Sequence, residues 1–157
     1  MITLTDLILE TFRLNGALLI AGDELVADLD LTSARWQVLG TIAMSPTALP
    51  VAHIARNMGL SRQAVQRVAN ELGEKKLLRF APNPHHQRAK LVVLTTKGRA
   101  VADAAMDRQR PWANTLALGV SDPEITLAFN VLRTLRTKLE SQIGLRAKEK
   151  THVEEFA

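Results

Sequence analysis

VAHIARNMGLSRQAVQRVAN, Val51 to Asn70, reads as two short helices joined by a tight turn, and the chain is organised around it. Val51, Ile54, Ala55 and Met58 follow the i, i+3, i+4, i+7 spacing of one buried face, which predicts a helix over 51–58. Gly59 stands where that helix must stop and the backbone must take positive φ, a region open to glycine at no steric cost. Ser61 is placed to cap the second helix through its hydroxyl, and Leu60 and Val65 are spaced for a hydrophobic staple around that cap. Val65, Val68 and Leu72 then face inward. Arg62, Gln63, Gln66, Arg67 and Asn70 face outward, and such side chains suit base edges and phosphates. Ala55 is small where two helices must cross closely. Together these offsets are those of a helix-turn-helix.

The next residues extend the pattern. Lys75-Lys76-Leu77-Leu78-Arg79-Phe80 leads into a polar tip, Pro82-Asn83-Pro84-His85-His86-Gln87-Arg88, and Lys90-Leu91-Val92-Val93-Leu94-Thr95 has the apolar, β-branched content of a strand. Strand, turn and strand make a hairpin directly after the recognition helix, which is a wing. Pro82 and Pro84 lack backbone donors and belong in its connection.

Charge gives an independent indication. Between Val51 and Lys90 there are eight Lys/Arg against two Glu, a balance of +6, whereas the whole chain carries only +4. The first fifty residues hold two basic and six acidic side chains. Positive charge is thus concentrated on the segment that reads as a DNA-binding module.

The helix-turn-helix, the wing and its exit LVVLTTKGRA resemble the MarR (multiple antibiotic resistance regulator) family of winged-helix transcription factors. The resemblance covers nearly the whole chain. Its most specific part runs from Arg88-Ala89-Lys90-Leu91 through Leu94-Thr95 to Lys97-Gly98. The wing tip departs from the pattern. Members of the family commonly carry an Asp and an Arg where this chain has Asn83 and His85, the Arg entering the minor groove and the Asp steadying it. His85 offers less charge, and Arg88 matches the family's second wing arginine. The resemblance also implies a small, often aromatic effector near Arg13, Trp36 and the long helix after the wing.

The rest of the chain fits this frame. At 157 residues and 17.3 kDa, with 46% hydrophobic and 23% charged residues, it is long enough for a real core. The absence of cysteine excludes disulfides, a thiol sensor and a cysteine zinc site. The N-terminus does not resemble a signal peptide and no apolar run approaches a membrane span, so a cytoplasmic location is the default. Thr3 to about Asp28 is apolar at helical spacing over a face wider than one partner needs. Thr32 caps a helix to about Met44, which Ser45-Pro46 stops, and Ala48-Leu49-Pro50 is placed to add a minor third strand to the wing sheet. Thr95 or Thr96 caps a long helix from about Lys97 to Leu118, with Pro111 in its middle, where it removes one intrahelical bond and is expected to kink the helix. Ser121 or Asp122 caps the last helix, which Gly144 is expected to end.

The fold expected is mainly α: a winged helix-turn-helix with a small β-hairpin wing, flanked by N- and C-terminal dimerisation helices. One domain spans 1–157, with a DNA-binding core at about 31–96, a dimerisation region at about 1–30 plus 97–145, and a flexible tail at 146–157. Two-fold symmetry would present two recognition helices to successive major grooves, about 10 bp apart.

The function expected is a sequence-specific DNA-binding transcriptional regulator, a repressor, acting as a homodimer on a pseudo-palindromic operator and released by a small-molecule effector. The alternative is a winged-helix protein-protein interaction module that does not bind DNA. Ser61, Arg62, Gln63, Gln66, Arg67 and Asn70 form the candidate reading set on the recognition helix. His53, Lys75, Lys76 and Arg79 are the candidates for the DNA backbone. His85, His86, Arg88 and Lys90 are those of the wing. The acids and the four histidines form no catalytic constellation, so no enzymatic role, cofactor or metal is expected.

Overall fold

The computed structural model describes residues 1–86 and 88–154. Gln87 of the wing tip and residues 155–157 of the tail lie outside the described residues. Helix α1 (Leu4–Val26) runs into a single 3-10 turn (Ala27–Leu29), followed by α2 (Ser33–Met44), strand β1 (Leu49–Pro50), α3 (Val51–Met58) and α4 (Arg62–Glu74). Strands β2 (Leu78–Ala81) and β3 (Leu91–Leu94) form the wing, and α5 (Thr96–Leu116) and α6 (Asp122–Glu154) complete the chain. Its contacts divide it into two compact units, Met1–Trp112 and Ala113–Ala157.

Local chemistry accounts for most element ends. Thr3 opens α1 in a capping box with Asp6, its hydroxyl accepting from the Asp6 N–H at 3.3 Å. The hydrogen bonds from Thr3 hold the Asp6 carboxyl below the usual carboxylate range. Thr32 caps α2 as its sequence predicts, accepting from the Arg35 N–H at 3.4 Å. Ahead of α6, Ser121 donates both its hydroxyl, at 2.6 Å, and its backbone N–H, at 2.8 Å, to the Glu124 carboxylate. These two hydrogen bonds hold Glu124 below its ordinary value.

One boundary differs from expectation. Helix α6 continues through Gly144 to Glu154. A glycine inside a helix costs only about 1 kcal/mol relative to alanine, and Leu145, Arg146, Ala147, Lys148, Glu149 and Lys150 that follow favour helix. The expected weak packing of the 146–157 tail concerns side chains outside the described residues.

The core of the first unit gathers Val26, Val38, Leu39, Ile54, Ala55, Val65, Leu72 and Val92 around the crossing of α2, α3 and α4. The side chains that the spacing assigned inward are inside, with Val65 and Leu72 fully buried and Val68 buried beside them. The sheet has the order β1-β3-β2, both pairings antiparallel, with Leu49 opposite Val92 and Leu78 opposite Leu94. The minor third strand is therefore present. It leads into α3 with no intervening residue.

Two close approaches fix the winged unit. A Cβ built on Gly22 of α1 would lie 2.7 Å from the Ser33 hydroxyl and 3.4 Å from the Trp36 ring. A Cβ on Gly98 of α5 would lie 1.7 Å from the Leu77 carbonyl oxygen. The backbone at Leu77 thus passes over α5 where only glycine leaves room. Thr95 ties the same place together. Its hydroxyl accepts from the Gly98 N–H at 2.9 Å, capping α5, and donates to the Lys76 carbonyl at 2.7 Å.

Candidate nucleic-acid interface

The recognition helix α4 is set by its cap and its buried stripe. Gly59 takes φ +65°, and its N–H closes the end of α3 against the Ala55 and Arg56 carbonyls. Ser61 then starts α4, its hydroxyl accepting from the Ala64 N–H at 3.1 Å. With Val65, Val68, Ala69 and Leu72 buried, the opposite face must look outward. Arg62, Gln63, Arg67 and Asn70 are exposed and Gln66 is half-buried. Gln66 donates its side-chain amide to the Asn70 side-chain oxygen at 2.9 Å, so these two polar groups stand as one pair. Leu60 remains half exposed next to the cap while Val65 is fully buried.

A groove opens between α3, α4 and the wing. It is lined by Arg62, Gln66 and Asn70 of α4, His53 and Arg56 of α3, and His85, His86, Arg88 and Lys90 of the wing. No Asp or Glu is among its lining residues. Nine expected or newly found polar residues therefore converge from three separated segments. Gln63 and Arg67 lie on the adjoining outer face of α4, beside Glu71 and Glu74.

The wing tip is ordered by its own side chain. The Asn83 side-chain oxygen accepts from the His85 N–H at 3.0 Å, and the Asn83 carbonyl accepts from the His86 N–H at 3.2 Å. An Asx turn needs an acceptor and not a charge. Asn83 thus keeps the turn that an aspartate would make, which the loss of charge alone did not reveal.

Three backbone candidates lie elsewhere. Lys75, Lys76 and Arg79 are not among the groove's lining residues. Lys75 pairs with Asp30, whose carboxyl lies below its ordinary value because of the hydrogen bond from Lys75 and then its charge. Lys75 is therefore engaged within the fold. Lys76 sits at φ +59°, exposed, and Arg79 points outward from β2.

The two residues implied for an effector lie on α1 and α2. Arg13 is exposed and pairs with Glu10 at 3.2 Å. Trp36 is half-buried and packs beside Gly22. Gly22 lies nine positions along α1 from Arg13, a rise of about 13.5 Å. Among the described residues no group of three or more His, Cys, Asp or Glu could hold a metal ion, and no helix is long and apolar enough to cross a membrane.

Arg56 is the residue sequence reasoning missed as a site. It entered only as charge, although its spacing of three from His53 puts both on one helix face. Arg35 of α2 was also missed. It holds Glu71 of α4 with Nε and Nη2, each 3.0 Å from the same carboxylate oxygen.

Comparison with known proteins agrees with this geometry. The MarR family model matches residues 29–89. An uncharacterized protein of Mycobacterium tuberculosis is 36% identical over 136 residues, covering 87% of this chain and 94% of its own length. The structure of MepR of S. aureus in complex with DNA superposes with a TM-score of 0.75 at 21% identity, over 83% of this chain and 96% of that one. That of CouR from Rhodococcus jostii RHA1, bound to p-coumaroyl-CoA, superposes with a TM-score of 0.75 at 22% identity, over 83% and 91%. With its capped reading helix, three-stranded wing sheet and flanking helices, the chain belongs to the MarR family of transcription regulators, which are not enzymes.

Proposed function

We propose that the chain is a cytoplasmic repressor that binds a pseudo-palindromic operator as a homodimer and is released by a small-molecule effector. The observation that carries the DNA-binding part is the carboxylate-free groove, which Arg62, Gln66 and Asn70 line together with Arg88 and Lys90. Guanidinium and amide groups match base edges in the major groove, and the cationic rim matches phosphate. Arg62, Gln63, Gln66 and Arg67 read bases in this proposal. His53, Arg56, Lys76 and Arg79 contact backbone, and the wing places His85, His86 and Arg88 along the adjacent minor groove.

Exposed apolar side chains support a second copy as partner. Ile8, Leu9, Phe12, Leu14 and Ile20 on α1 are exposed, as are Leu127, Phe129, Leu132, Leu139 and Ile143 on α6. Apolar surface of this extent supports an interface with a second copy in this proposal. The effector part draws on CouR, which is solved with p-coumaroyl-CoA bound. In this proposal Arg13 and Trp36 take part in the effector's site.

Selection of bound duplexes from a random pool, followed by sedimentation of the complex, tests the proposal. A symmetric site with half-sites about 10 bp apart and two chains per site is expected. Arg67→Ala should weaken the selected site by ~1–3 kcal/mol with little effect on random DNA, whereas Lys76→Ala should lower affinity on both. Recovery of no duplex even at low salt would instead favour a winged helix that binds proteins.

A further inference from the structure

We infer that Arg35 is a positioning residue for DNA binding: without reaching the duplex, it occupies the Glu71 carboxylate and so leaves Arg67 available to the bases. The inference rests on the DNA-reading role just proposed. Arg35 lies in the first turn of α2, on a different element from the whole reading set. Its Nε and Nη2 both lie 3.0 Å from Glu71 Oε2, with the two side chains 25% and 33% exposed. Glu71 belongs to the outer face of α4, with Arg62, Gln63, Gln66, Arg67 and Glu74.

Two consequences follow from helix geometry and charge. Residues four apart on a helix are neighbours, so Glu71 is within reach of Arg67. Among the described residues Arg67 has no ion pair, and Glu71 has one, to Arg35. Remove the Arg35 guanidinium, and the carboxylate can turn to Arg67 and compete with DNA for it. Lys75, four residues beyond Glu71, is already taken by Asp30, which leaves Arg67 as the cation within helical reach.

The test is a cycle on the operator recovered by selection: wild type, Arg35→Gln, Glu71→Gln and the double variant, each measured for affinity at several salt concentrations and for thermal unfolding. Arg35→Gln should weaken binding about tenfold, the scale of losing one charged base contact. Its slope of log affinity against log salt should match that of the wild type, because no phosphate contact is lost. Glu71→Gln should bind at least as tightly as the wild type. The double variant should return to within about twofold of wild type, even if its melting temperature stays lowered, since the competing carboxylate is gone.

A purely structural ion pair gives the opposite pattern: Glu71→Gln weakens binding as much as Arg35→Gln, and the double variant is no better. That result overturns the inference. So does a salt slope about one unit shallower for Arg35→Gln, which would place Arg35 on a phosphate. If Arg35→Gln does not fold, Glu71→Gln decides alone, with undiminished affinity supporting and lost affinity overturning. Failure of the DNA-reading role would appear differently, as no selective binding by the wild type.

Discussion

Gly98→Ala tests how tightly the wing root is held against α5. The new Cβ would lie 1.7 Å from the Leu77 carbonyl oxygen, and side-chain carbons essentially never approach closer than 3.0 Å, so the backbone must move by about 1.3 Å or more. That carbonyl accepts from the Thr95 N–H at 3.0 Å and from the Thr95 hydroxyl at 3.2 Å. Straining these two bonds costs about 1 kcal/mol each, and overpacking adds ~1–3 kcal/mol. Alanine's better helix propensity returns roughly 1 kcal/mol. The net expectation is a loss of about 2–4 kcal/mol, or roughly 5–15 °C in melting temperature for a chain of this size. Gly40→Ala is the control, because its Cβ meets nothing within 4 Å and α2 should gain up to about 1 kcal/mol. Urea unfolding followed by circular dichroism measures both. Because β2 begins at the next residue after Leu77, DNA affinity should fall with Gly98→Ala and hold with Gly40→Ala. A loss under about 1 kcal/mol for Gly98→Ala would refute the reasoning, since the close approach would then be soft.

Three further outcomes are expected. Ser61→Ala should cost ~1 kcal/mol by removing the α4 cap, while Ser61→Asp should keep stability and lose DNA affinity by setting a carboxylate at the N-terminus of the proposed reading helix; melting and band-shift assays separate the two. Arg56→Ala should leave folding unchanged and reduce the salt slope of DNA binding by about 1, seen by fluorescence anisotropy at several salt concentrations. Asp30 has a lowered folded-state pKa, so its pairing stabilises the protein above the ordinary carboxylate value, and the benefit is lost as pH falls through the folded value. Asp30→Asn should therefore be less stable than wild type near neutral pH and converge with it in acid, in denaturant titrations across pH; a gap that widens in acid would show the opposite sign.

Much of the winged core was legible because its information is local. The helix from Val51 to Met58, the turn at Gly59, the caps at Ser61, Thr32 and Thr95 and the wing strands all follow from residues close in sequence. What was not legible depends on distant partners. Nothing near Lys75 announces that Asp30, forty-five residues earlier, will take its ammonium. Arg35 and Glu71 are thirty-six apart. Gly98 looks like any helical glycine until Leu77 is seen above it. Gly144 misled for a related reason: glycine reports a permissive backbone, and its neighbours decide whether a helix stops there. Arg56 was hidden by the opposite error, counted as charge when its phase on α3 already placed it beside His53.

The order of the small sheet has a mechanical consequence. Its first strand is stitched to the wing's inner strand and turns without slack into the first helix of the helix-turn-helix. The wing is consequently no loose flap. Tilting α3 drags the hairpin with it, so the helix-turn-helix and the wing travel as a single piece. Loosening one part of such a unit would therefore disturb the other, because sheet and helix share the backbone between Leu49 and Met58.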